Sequence, residues 1–184
     1  MTDEAADTPA PDVARLTAEA ATKSGLLWIR VPGGATHPVW HVWRPADEGR
    51  GTPAAVLVVS GPGEQHLPWL PEHVELVLRS KDTGGRLLVV PATASEVVPG
   101  SLGWDAAVDL LRPARLNATG DLAARWHDTA TIHVLVPATE AVEGPGGFDD
   151  SAGSAPVRPA APATARWRPW HWRGRAGTRR SATR

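Results

Sequence analysis

Between Val74 and Val90 the chain runs Val-Glu-Leu-Val-Leu-Arg-Ser-Lys-Asp-Thr-Gly-Gly-Arg-Leu-Leu-Val-Val. Two β-prone runs flank a polar turn, which gathers Arg79, Lys81 and Arg86 around the hydroxyls of Ser80 and Thr83. Positive charge with several donors in a short space is what a phosphate group requires. The competing reading of the same residues is a solvated turn between two strands. Lysine occurs only at Lys23 and Lys81, in a chain whose usual cation is arginine, which sets Lys81 apart.

Other chemistries find less support. His37 and His41 are four apart, a metal-binding spacing on a helix. Beside Pro38 in a β-prone run they would stand about 13 Å apart, too far to share one ion. Gly61-Pro62-Gly63 lacks the Gly-Lys-Ser/Thr ending of a P-loop. Ser60 has Val58 two residues before it, so it stands in no nucleophile elbow. Cysteine is absent, which removes disulfides, thiolate metal sites and cysteine nucleophiles. Asn117-Ala118-Thr119 matches a glycosylation acceptor, but Met1 to Asp12 is acidic and polar and does not read as a secretory leader. No apolar run approaches the roughly 20 residues of a membrane helix, so a soluble, cytoplasmic protein is expected.

The elements that must position the turn follow from periodicity. Val13, Leu16 and Ala20 share one helical face, with Thr17 on it, Asp12 as a cap and Gly25 as a stop. Strands are expected over Leu26–Val31, Pro38–Arg44, Ala54–Val59, His73–Leu78, Arg86–Val98 and Thr131–Val136. Pro91 would mark a bulge or bend in the fifth. The unbroken apolar character of Ala54–Val59 points to burial on both faces. Ser101 caps a helix over Leu102–Leu111, and a short helix lies around Leu122–Trp126.

The formal net charge of −1 conceals two halves. From Met1 to Asp150 there are 11 Lys and Arg against 20 Asp and Glu, a balance of −9, and from Ser151 onward 8 Arg and no acid. An acidic body argues against broad nucleic-acid binding by the folded part. From Gly144 the sequence turns to Gly, Pro, Ala and Ser, and then to Arg166-Trp167-Arg168-Pro169-Trp170-His171-Trp172-Arg173. The expected organisation is a helical lead-in over 1–23, a β domain over 24–143, and a linker with a disordered Arg/Trp-rich tail over 144–184. Interleaved Arg and Trp offer the tail contact with anionic lipid or single-stranded nucleic acid, against the plainer reading of a basic extension.

Pro38-Val39-Trp40-His41-Val42-Trp43, the run Val56 to Gly61 leading into a turn, and Val74 to Lys81 together resemble the pyridoxamine 5'-phosphate oxidase-like, FMN-binding split-barrel family over roughly Ser24 to Pro137. The resemblance implies a mainly β fold, a six-stranded antiparallel split barrel. It also implies a homodimer holding FMN or F420 between subunits, and flavin-linked oxidoreduction of an unspecified small substrate. The residues it assigns to the cofactor are Trp43, Ser60, Gly61, Arg79, Ser80, Lys81 and Thr83; no catalytic residue is assigned. Family members commonly carry a basic residue in the turn after the third strand, where this chain reads Gly61-Pro62-Gly63-Glu64-Gln65-His66. The phosphate contact then falls to Arg79 and Lys81, with Glu64 a repulsive neighbour whose removal leaves stability almost unchanged. The alternative is a split barrel without cofactor that binds a small ligand or serves a structural role.

Overall fold

The computed structural model describes residues 12–82, 84–116 and 120–145. Thr83, the Asn117-Ala118-Thr119 acceptor, the first eleven residues and the expected linker and Arg/Trp-rich tail from residue 146 lie outside them.

Asp12 accepts a hydrogen bond from the Arg15 amide at 3.0 Å and starts α1, Val13–Lys23. The stop falls one residue before Gly25: Ser24 leaves helical geometry and its hydroxyl bonds the Leu26 carbonyl. Strands β1 (Leu26–Arg30), β2 (Thr36–Trp40), β3 (Val42–Arg44), β4 (Ala55–Ser60), β5 (His73–Arg79), β6 (Arg86–Glu96) and β7 (Thr131–Pro137) then form one antiparallel sheet. Two more helices, α2 (Leu102–Leu111) and α3 (Leu122–Thr129), separate β6 from β7. Ser101 caps α2 by accepting from the Trp104 amide.

The sheet order is β2-β1-β5-β6-β7-β4-β3. Its two edge strands are successive halves of one segment, because only His41 separates Trp40 from Val42. The first half pairs with β1 and the second with β4, so the sheet curls until its edges meet at His41. The fold is mainly β, as expected. Seven strands replace the expected six because the run Pro38–Arg44 breaks at this corner; counted through the bend, the number is six.

Strand period two divides the core. Leu27, Ile29, Val56, Val58, Leu76, Leu78, Leu88, Val90 and Leu135 fill the inside of the curl. The opposite face of β4 and β7, through Leu57, Val59 and Ile132, lies under Trp104, Val108 and Leu111 of α2 and Leu122 and Trp126 of α3. This explains why every residue of β4 is buried. Helix α1 closes one end of the curl, packing Leu16, Ala20 and Ala21 against the inner cluster. The ladder irregularity in β5–β6 falls between Leu78 and Arg79, whereas Pro91 keeps regular register opposite Glu75. Its carbonyl accepts from the Ala138 amide at 2.8 Å, which extends the pairing with the β7 side by one residue.

Candidate functional site

The register break at Leu78/Arg79 delivers Arg79 to the turn, where Ser80 donates to the Gly85 carbonyl and Gly84 donates back to Ser80. Arg86, directly across from Arg79, is held by Glu143 at 3.1 Å. The Arg79 guanidinium instead stands 6.0 Å from the centre of the Trp28 ring. Helix α1 brings Lys23 and Glu19 to the same place, and a cleft of about 180 Å³ forms among Glu19, Lys23, Arg79, Ser80, Lys81 and Asp82. Glu19 hydrogen-bonds Lys23; that bond raises the lysine's pKa and lowers the carboxylate's. Three cations thus share the cleft with two carboxylates.

The cation inventory distinguishes this turn. Arg15, Lys23, Arg30, Arg50, Arg86, Arg112, Arg115 and Arg125 each lie within ion-pair distance of a carboxylate. Arg44 donates to the Pro53 carbonyl. Among the described residues Arg79 and Lys81 remain without a carboxylate partner.

Ser60 and Gly61 do not join them. Stepping antiparallel from β5 through β6 and β7 to β4 places the end of β4 at the opposite end of the sheet from Arg79. Gly61 has φ +143°, and a Cβ there would meet the Thr129 carbonyl oxygen at 2.7 Å. Its role is to let the chain pass α3 closely. Trp43, on β3, lines a separate pocket on the other flank of α1, with Ala14, Thr17 and Ala18. Of the cofactor residues the resemblance implied, the structure brings together Arg79, Ser80 and Lys81; Thr83 lies outside the described residues.

The loop after β4 does something else. Glu64, with its side chain fully buried, accepts from Arg115 Nε at 2.7 Å, Trp126 Nε1 at 3.0 Å and Arg125 at 3.3 Å. It is an internal anchor for α3 and the segment before it, not the neighbour of a phosphate. Gln65 beside it bonds both backbone groups of Trp40, at 2.8 and 3.0 Å, and the Val59 carbonyl at 3.0 Å. It thereby satisfies the backbone where the bent strand leaves β1 for β4. Neither role could be read from the sequence, since the partners lie up to 62 residues away and share no motif.

His37 sits half-buried in β2, while His41 is buried at the corner with Nε2 2.9 Å from the Ala21 carbonyl. Burial, only partly offset by backbone hydrogen bonding, lowers the pKa of His41. His133, a group overlooked in the sequence, takes an inward position on β7 with neither ring nitrogen hydrogen-bonded among the described residues. Desolvation lowers its pKa against a weaker opposing pull from Glu96, 3.8 Å away. No group of three His, Asp or Glu among the described residues is placed to hold a metal. No helix among them is long and apolar enough to cross a membrane.

Fold and cleft define a curled antiparallel barrel domain that carries two uncommitted cations on one turn. No family model matches the sequence, and no curated protein matches it. Among solved structures the chain is similar to the crystal structure of HutZ, the heme storage protein from Vibrio cholerae. Identity is 13%, over 71% of this chain and 94% of that one, with a TM-score of 0.46.

Proposed function

We propose that the domain binds a small phosphate-bearing ligand through Arg79 and Lys81, with Lys23 completing the cation set from α1. The observation that supports this is the pair of cations left without carboxylate partners while the other body cations are engaged. A phosphate would supply the charge-assisted bonds these groups lack.

The flavin-linked oxidoreductase is the second reading, favoured by the curled six-strand path. A cleft of about 180 Å³ suits a phosphate. It is smaller than the roughly 300–1,000 Å³ that a ligand of flavin size needs. Since Trp43, Ser60 and Gly61 lie elsewhere, the described residues of one chain fit the phosphate of FMN or F420 but not its ring. That reading therefore requires a homodimer whose second copy covers the ring. No catalytic step is derived from these residues; hydride chemistry would be the cofactor's own.

The test is titration with FMN, F420 and inorganic pyrophosphate, alongside light scattering at tens of micromolar. Arg79→Ala and Lys81→Ala should each weaken binding by about ten-fold or more, the worth of a charge-assisted hydrogen bond of roughly 1.5–3 kcal/mol. Tight FMN or F420 binding by a dimer selects the flavin reading. Pyrophosphate binding as tightly as FMN selects the simpler one. Parent-like binding in both variants reduces the turn to a solvated one and removes the proposal.

A further inference from the structure

The cation cleft is not polar throughout. On α1, Leu16 and Ala20 stand one turn apart and form one stripe of its wall; Glu19 and Lys23, also one turn apart, form the stripe beside it. Glu19 and Lys23 are exposed, whereas Ala20 is buried and Leu16 is half-buried against the inner cluster. The facing wall repeats the division. Lys81 and Asp82 are exposed on the turn, while Leu87, near the start of β6, packs half-buried against the same cluster. Charge therefore collects at the mouth, and Leu16, Ala20 and Leu87 make an apolar floor continuous with the core. Leu16 and Leu87 keep accessible surface, so a ligand can reach them.

Granted the phosphate reading of this cleft, we infer that its ligand is a phosphate monoester of a short apolar alcohol. Arg79 and Lys81 hold the phosphate at the mouth, and the chain lies on Leu16, Ala20 and Leu87. Inorganic phosphate would leave that floor facing water, with no gain from covering it. A sugar phosphate, or the ribityl chain of a flavin, would set hydroxyls against side chains that have no donor or acceptor for them. A second charge at the far end of the chain is excluded for the same reason, since the floor offers no counter-ion. The cleft measures about 180 Å³, which limits the chain to a few carbons.

The probes are methyl phosphate, n-butyl phosphate and glycerol 3-phosphate, which carry the same charge at about pH 8, above the second phosphate pKa of about 6. Full-length protein is titrated with each by calorimetry. A methylene buried outright is worth about four-fold in affinity. Half-burial of the longer chain should therefore make butyl phosphate bind about five- to ten-fold tighter than methyl phosphate. Glycerol 3-phosphate should bind no tighter than methyl phosphate. Leu87→Ala should remove about half of the butyl advantage or more, and its unchanged affinity for methyl phosphate shows that the variant is folded. Arg79→Ala should weaken methyl and butyl phosphate alike, by about ten-fold or more. Equal affinity for methyl and butyl phosphate, with both weakened in Arg79→Ala, would overturn the apolar floor and leave the phosphate site standing. Parent-like binding of methyl phosphate in Arg79→Ala would remove the phosphate site itself, and the alkyl ligand with it. Glycerol 3-phosphate matching butyl phosphate, or Leu87→Ala keeping the whole butyl advantage, would also overturn the inference.

Discussion

Replacing Glu64 by alanine removes the one acceptor shared by Arg115, Arg125 and the Trp126 indole. The Trp126 N–H is lost in the interior, since that residue has no exposed surface, and an unsatisfied buried donor costs about 1–3 kcal/mol. Breaking a fully buried ion pair costs about 3–5 kcal/mol. Here the discount is substantial, because Arg115 and Arg125 remain 26% and 38% exposed and regain water. A loss of about 2–4 kcal/mol for Glu64→Ala follows. Glu64→Gln keeps an acceptor and should lose about half as much. The measurement is urea unfolding at neutral pH, where the midpoint should fall by about 1–2 M at the slopes usual for small domains. A double-mutant cycle with Arg115→Ala should show coupling above about 1 kcal/mol, as expected for residues in one network. If Glu64→Ala stays within about 0.5 kcal/mol of the parent, as an exposed turn residue would, the buried anchor is refuted.

Gly61→Ala should destabilise by about 1–3 kcal/mol without altering ligand affinity, because its φ of +143° and its contact with Thr129 leave no room for a methyl; parent-like unfolding would show that the backbone gives way. Gln65→Ala should raise hydrogen exchange at the Trp40 amide, whose acceptor is Gln65 Oε1; unchanged protection there would deny the corner its fastening. Burial holds the pKa of His41 and His133 below the ordinary value, so the unfolded chain takes up protons first as pH falls below about 6.5. Their stabilising effect is therefore complete above about pH 6.5 and is lost as pH drops toward the lowered folded values. His133→Leu should flatten that acid slope and leave neutral-pH stability equal or higher, since it removes two unpartnered nitrogens; an undiminished slope between about pH 7 and 5 would refute it.

Much of the local structure was legible because its causes are local. The Asp12 and Ser101 caps act three residues away, and alternation marked the inward faces of the strands. The apolar run of β4 announced burial on both sides, and the cations of the turn stand close together in the chain. Closure of the sheet was not legible, because β2 and β3 meet β1 and β4 only once the whole curl has formed. The bend at His41 then depends on Gln65, 25 residues from Trp40. The role of Glu64 was misread for the same reason: an acid in a Gly/Pro turn looks exposed until Arg115, Arg125 and Trp126 fold over it. Tertiary structure also separated Ser60 and Gly61 from Arg79, since antiparallel order sends the ends of β4 and β5 to opposite ends of the sheet, and it set Trp43 in a pocket on the other flank of α1. Residue types and their spacing set which groups were available for chemistry; which of them share a cavity was decided by strand order and by α1 lying between two pockets.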